Sequence, residues 1–260
     1  MLKNIESKRL YTAIVMLIAI ILIVLFHSPF LLWSILGIAC IISFYESYQL
    51  YTKAKPNPLF TGLLVLFWIS LYWLETLHII FVILIILASY KAYTQKGNIA
   101  YAMPFIYPTI PFAFLYLLYL DYSINAIIWL LFIVGLTDSF AYFGGKLFGG
   151  TFFSNSCLCH ISPNKTKEGV LIGISVSVVI STFVGLGVCN FSTSLLLSLI
   201  TSISSVFGDL YESFLKRQAG VKDSGNLLPG HGGMLDRLDG YFFGGIILYV
   251  MLEISKGNLS

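Results

Sequence analysis

Apolar runs follow one another along almost the whole chain, at roughly 11–26, 30–50, 59–74, 77–92, 101–120, 124–147, 168–190, 193–216 and 239–254. About 20 consecutive apolar residues cross a bilayer. Several of these runs are shorter, and the third and fourth form a tight pair around Glu75 to His78. Only 10% of the residues are charged and 58% are apolar, where a soluble domain carries about 25% charged residues. A water-facing shell has no room for such an excess, so lipid is the solvent. The fold class expected is all-α: a polytopic integral membrane protein of about nine transmembrane helices. The first run follows Lys3, Lys8 and Arg9 but precedes His27-Ser28-Pro29 rather than a small-residue cleavage site, so it reads as a retained helix.

The charges test that reading. With the N-terminus on the cytoplasmic side, the cytoplasmic segments hold 14 of the 15 basic residues, and only Lys256 falls outside. Basic residues stay on the cytoplasmic side of short loops, and a wrong span count before residue 216 would scatter them over both faces. Two long polar connections, about 148–167 and 217–238, then share the cytoplasmic face. The net charge of +3 gives no support to nucleic-acid binding.

Polar chemistry concentrates in Ser204 to Gly240, which carries nine of the 27 formal charges together with His231 and several glycines. In the eighth run Ser198, Ser202, Ser205, Asp209, Ser213 and Lys216 fall in one stripe at 100° per residue. Small serines between membrane helices explain most of that stripe. They do not explain Asp209, because a carboxylate within a span is costly unless it is paired or meets water. Asp236 and Asp239, three apart, either stabilise a helix N-terminus or converge with Asp209 and Asp223 as an oxygen-rich site suited to Mg²⁺. Between them Leu228-Pro229-Gly230-His231-Gly232-Gly233 is either a mobile turn or a backbone that turns its N–H groups towards an anion. Lys216, Arg217, Lys222 and Arg237 would neutralise phosphates, or serve as ordinary cytoplasmic-side charges.

A second cluster lies in the sixth run, where Asp138, Tyr142 and Gly145 share a stripe. Gly144-Gly145-Lys146 is no phosphate-binding P-loop, since Leu147 follows the lysine and Phe140 stands five before Gly145. Ser162 or Thr166 is placed to cap the seventh helix, with Lys165 and Lys167 facing the same cytoplasmic space. Cys157 and Cys159, with His160, lack the second pair that a soft-metal site needs, and read as incidental thiols.

Ser213-x2-Lys216-Arg217-x4-Lys222-Asp223-x-Gly225-x2-Leu228-Pro229-Gly230-His231-Gly232-Gly233-x2-Asp236-Arg237-x-Asp239 resembles the signature of the bacterial phosphatidate cytidylyltransferases, also called CDP-diglyceride synthases. Asp138-x3-Tyr142-x2-Gly145 and Ser162-Pro163-x-Lys165-Thr166-x-Glu168-Gly169 are similar to further segments of that family. The Cys157–His160 stretch departs from it. The resemblance implies transfer of a cytidylyl group from CTP to phosphatidate, with pyrophosphate released. It implies Mg²⁺, with Asp209 and Asp236 as the metal-binding acids, and a cytoplasm-facing site in the cell inner membrane. Lys216, Arg217, Lys222, Asp223, His231, Arg237 and Asp239 complete the catalytic set, and Ser213, Gly232, Gly233, Asp138, Tyr142, Lys165 and Lys167 the substrate-binding set. The chain is then a single membrane domain, 1–260, with N-terminal helices to 121 and catalytic helices and cytoplasmic loops from 122. Expected partners are CTP, phosphatidate and the bilayer, with no nucleic acid, and a homodimer is one assembly the sequence permits. The rivals are a CTP-dependent polyprenol or lipid kinase and a secondary transporter using Asp138 and Asp209 as coupling acids. A CDP-alcohol phosphotransferase is disfavoured by the lack of its Asp-Gly-x2-Ala-Arg core.

Overall fold

The computed structural model describes residues 14, 15, 17, 18, 20–95, 98–228 and 232–257. Residues 20–26 are helical. Then follow α1 (Pro29–Thr52), α2 (Pro58–Leu74), α3 (His78–Thr94), a 3₁₀ turn (Ile99–Tyr101), a π turn (Phe105–Thr109), α4 (Ile110–Phe148), the strands β1 (Cys157–Cys159) and β2 (Ser162–Thr166), α5 (Lys167–Gly185), α6 (Phe191–Ala219) and α7 (Leu235–Gly257). Among the described residues five helices are long and apolar enough to cross a membrane, and α2 and α3 are shorter apolar helices. Large apolar side chains such as Leu66, Ile85, Val179 and Phe183 are more than half exposed on them. In water that surface would drive association; against acyl chains it is matched, and the chain is a multi-pass membrane protein.

Local chemistry sets the boundaries. Ser28 and Asn57 each accept a hydrogen bond from a first-turn amide, and a proline follows each at the first helical position, where its fixed φ suits the turn and no N–H is wanted. The C-termini of α1, α2 and α3 stop on Lys53, Glu75 and Gln95, all left-handed, whose N–H groups bond back to Gln49, Leu71 and Lys91. The fifth and sixth expected spans form one helical run, interrupted at Ser123, which has φ 67° and ψ −177°. The last helix begins at Leu235, four residues before the hydropathy boundary. A short antiparallel ribbon, β1 with β2, departs from the all-helical expectation.

The residues divide into two compact units, 1–117 with 215–238, and 118–214 with 239–260. In the first, Trp33 and Trp68 exchange indole N–H bonds to each other's carbonyls at 2.9 and 3.1 Å. A Cβ at Gly37 would meet the Trp68 indole at 2.3 Å, so α1 and α2 approach this closely only through glycine. Phe44 meets Phe105 edge-on, and Tyr48 stacks on Tyr101.

In the second unit α5 carries a small residue at every fourth position, Gly169, Gly173, Ser177, Ser181 and Gly185, and all five are buried. A Cβ at Gly173 would sit 2.5 Å from the Thr137 carbonyl, and one at Gly169 2.4 Å from that of Ala141. The stripe lets backbones touch, which is how helices associate where the hydrophobic effect gives no preference for helix over lipid. Ser177 donates to the Ile133 carbonyl. Trp129 donates to Ser198, and Thr137 shares a hydrogen bond with Ser202. The serine stripe of α6 is therefore the helix-packing face that its spacing allowed. At the 121–123 corner, Tyr122 donates to Glu253 and Tyr249 to Asp121.

Candidate functional site

Two polar clusters stand out, one in each unit. In the second unit, one turn beyond the serines of α6, Asp209 pairs through Oδ2 with the ammonium of Lys165 on β2. Ser213, a turn further on, donates to Oδ1 over 3.4 Å. The carboxylates of Asp138 on α4 and Asp239 on α7 lie within electrostatic reach of Asp209. Close approach of α6 to α7 depends on Gly208, where a Cβ would meet the Asp239 carbonyl at 2.4 Å. Glu212 hydrogen-bonds to Asp239, and Tyr241 feels both Asp138 and Asp239. Within this cluster Asp209 pairs with Lys165, Asp138 feels the charges of both, and Asp239 feels Asp209 and Asp138, so the acids outnumber the one ammonium paired among them.

In the first unit the motif loop folds around two carboxylates. Asp236, in the first turn of α7, accepts Lys216 Nζ at 2.6 Å through Oδ1. Its Oδ2 accepts the backbone N–H and hydroxyl of Ser224, both at 2.9 Å, and the N–H of Gly233 at 2.8 Å. The second carboxylate is Glu46, from the C-terminal third of α1. It accepts from Met234 N–H at 3.0 Å, Leu235 N–H at 2.9 Å and the Ser224 hydroxyl at 3.2 Å. The glycines fit this wrapping. Gly232 has φ +84°, and Cβ atoms at Gly225 and Gly233 would lie 2.5 and 2.6 Å from the Glu46 oxygens. The loop closes on itself where Leu228 N–H bonds to the Gly232 carbonyl at 3.0 Å. The anion that its amides meet here is a side-chain carboxylate.

The structure therefore brings Asp138, Lys165, Asp209, Ser213 and Asp239 together in one unit, and Lys216, Gly232, Gly233 and Asp236 together in the other. Of the four acids that sequence reading let converge, Asp209 and Asp239 belong to the second unit, Asp223 and Asp236 to the first. Arg217, Lys222, Asp223 and Arg237 are exposed. Tyr142 is exposed beside Phe143. Lys167 opens α5 with its ammonium 5.7 Å from the centre of the Phe153 ring, behind the cap that Thr166 provides to Gly169 N–H. His231 lies outside the described residues. Cys157 donates its thiol to the Cys159 carbonyl, and both thiols are free. Sequence reading passed over Glu46 and Ser224. The signal for Glu46 was present: a carboxylate inside the second apolar run, towards its C-terminal end.

Among the described residues no three His, Cys, Asp or Glu side chains close on a point as a full ligand set does. Mg²⁺ asks less, one or two carboxylates with waters and substrate phosphates. Asp209 fits that requirement, since its Oδ1 accepts only the long Ser213 contact among the described residues. Asp236 could offer only Oδ1, because Oδ2 already accepts three donors.

Residues 7–255 match the model of the cytidylyltransferase family. The chain is 40% identical over 250 residues to a phosphatidate cytidylyltransferase of Helicobacter pylori, covering 95% of this chain and 92% of that protein. It is 35% identical over 246 residues to one from Thermotoga maritima, covering 86% of this chain and 89% of that one. To chloroplastic phosphatidate cytidylyltransferase 4 of Arabidopsis thaliana it is 46% identical over 123 residues, 46% of this chain and 30% of that protein. A match of that extent, over a fold that sets paired acids and lysines among apolar helices, places the chain in the cytidylyltransferase family.

Proposed function

We propose that this protein is a phosphatidate cytidylyltransferase, converting CTP and phosphatidate to CDP-diacylglycerol and pyrophosphate. The observation that carries the reading is the pairing of an acid with a lysine in each cluster, Lys165 with Asp209 and Lys216 with Asp236, in a chain that matches the family almost end to end. A phosphatidate oxygen attacks the α-phosphorus of CTP. The new bond joins that oxygen to phosphorus, and the bond to the β-phosphate bridging oxygen breaks, its electrons leaving with pyrophosphate. The nucleophile is already anionic, so no Ser or His nucleophile is needed, and positioning and charge neutralisation remain for the protein to supply.

Lys165 and Lys216 are the groups placed to hold phosphate oxygens, and Ser213 and the Gly232-Gly233 backbone to orient them. Arg217, Lys222 and Arg237 are exposed, suited to drawing a nucleotide triphosphate from water. Asp209 and Asp236 would each offer a carboxylate oxygen to Mg²⁺, which when bound shields phosphate charge and stabilises departing pyrophosphate. Asp138 and Asp239 would hold Lys165 and add to the attraction for a cation. The bias of 14 of 15 basic residues towards one set of loops supports a site facing the cytoplasm from the inner membrane.

The test is turnover by purified protein with phosphatidate and CTP labelled at the α-phosphate, with and without Mg²⁺. Label entering the lipid only with the divalent ion supports the reading. A kinase would carry only γ-label into lipid, and flux across sealed vesicles without CTP turnover would mark a transporter. Either result overturns the proposal.

A further inference from the structure

We infer that Glu46 is a positioning residue, holding the motif loop so that Asp236 and Lys216 meet. The inference rests on the reading of that pair as part of the phosphate-handling site. Glu46 is 7% exposed and sits within a span, where a carboxylate is tolerated only with strong compensation. Its compensation comes from Ser224, Met234 and Leu235, 178 to 189 positions away in sequence. Met234 and Leu235 stand where α7 begins, and their N–H groups have no acceptor within the helix. Glu46 accepts both, so α1 caps α7 from outside.

Glu46 also reaches Asp236 through one atom. The Ser224 hydroxyl lies 3.2 Å from Glu46 Oε2 and 2.9 Å from Asp236 Oδ2. One proton serves two acceptors there, so the position of either carboxylate affects the other. Gly225 and Gly233 press their backbones against Glu46 with no space for a side chain. Removing Glu46 would free the start of α7 and the Ser224 turn together, and with them three of the donors that fix Asp236.

The experiment uses the full chain in detergent, comparing Glu46→Ala and Glu46→Gln with the unmodified protein. Amide exchange at Met234 and Leu235 is measured beside kcat and KM for transfer of α-labelled CTP to phosphatidate. In Glu46→Ala we expect exchange at the two amides to rise about tenfold or more and kcat to fall by a similar factor, with KM changing far less. Glu46→Gln keeps one carbonyl acceptor and should recover part of both. A purely structural role would lower yield and melting temperature but leave kcat of the folded fraction unchanged. Unchanged exchange, or faster exchange with unchanged kcat, overturns the inference. If Glu46→Ala does not fold, Glu46→Gln decides by the same readouts. If the unmodified protein transfers no label, the proposed function has failed, and exchange alone decides whether Glu46 holds the loop.

Discussion

Lys216 and Asp236 provide the sharpest test of how this loop is stabilised. Their side chains are 13% and 9% exposed, and they meet at 2.6 Å. Asp236→Asn leaves a carbonyl able to accept the Ser224 and Gly233 donors but turns an amide, itself a donor, towards Lys216. The ammonium is then enclosed without the carboxylate that it meets at 2.6 Å. Breaking a buried pair from one side costs about 3 kcal/mol or somewhat more. For a chain of this size each kcal/mol moves the melting temperature by about 2–4 °C, so a fall of about 6–12 °C is expected. The cost arises from the weakened compensation of that enclosed charge rather than from the lost bond alone. Replacing that charge as well, in Lys216→Met with Asp236→Asn, should therefore restore about half of the loss. Thermal unfolding in detergent, followed with a dye that reacts with the fully buried Cys40, measures all three proteins. A double variant melting at or below Asp236→Asn refutes the reasoning, because the ammonium would then not be what makes the single change costly. Both variants should lose cytidylyl transfer.

Asp209→Asn should cut pyrophosphate release by about a hundredfold or more while the protein still inserts; near-normal turnover removes Asp209 from the proposed metal site. Gly173→Leu should lower the melting temperature strongly, because its Cβ would lie 2.5 Å from the Thr137 carbonyl and 2.8 Å from the Ala141 nitrogen, and backbone cannot step aside as a side chain does. Cys157→Ser with Cys159→Ser should leave activity unchanged, and joint loss of bound zinc and turnover would overturn the reading of these thiols as incidental.

Hydropathy located most of the described helices because lipid imposes one long-wavelength signal on the chain. It even placed a break at 121–123, where the structure puts Ser123 out of helical geometry. The ribbon of β1 and β2 escaped because SPNKT has no alternation and only one β-branched residue, Thr166, to mark a strand, and its ladder is only a few residues long. In the site, residue types and spacing identified Lys216 and Asp236, since a motif is a local property of sequence. Glu46 stood outside that signal. It lies 178 residues from Ser224, in a run with no spacing to mark it, and one acid among apolar neighbours reveals its partner only once the chain is folded. The glycine loop was legible as an anion cradle, but not the identity of its anion. The amide of Gly233 could serve a phosphate or a carboxylate equally well, and Asp236 is its acceptor in the structure.

That substitution of carboxylate for phosphate bears on how a charged reaction can run at a membrane surface. Two opposite charges a few ångströms apart attract far more strongly at low dielectric than in water, so an unpaired lysine beside lipid would be costly before substrate arrives. Lys165 against Asp209 and Lys216 against Asp236 remove that cost, since each ammonium is neutralised by a carboxylate in direct contact. A phosphate that brings a divalent cation presents both charges at once. Its oxygens suit the lysine and its cation suits the acid, so exchange of partners leaves the local charge balance nearly unchanged. Phosphate without the cation would oblige a lysine to leave its acid uncompensated, and the cation without phosphate would oblige an acid to leave its lysine. On this account Mg²⁺ and CTP should bind with strong mutual dependence. Calorimetry of the unmodified protein checks it directly: CTP affinity independent of Mg²⁺ would show that these ion pairs do not exchange partners on binding.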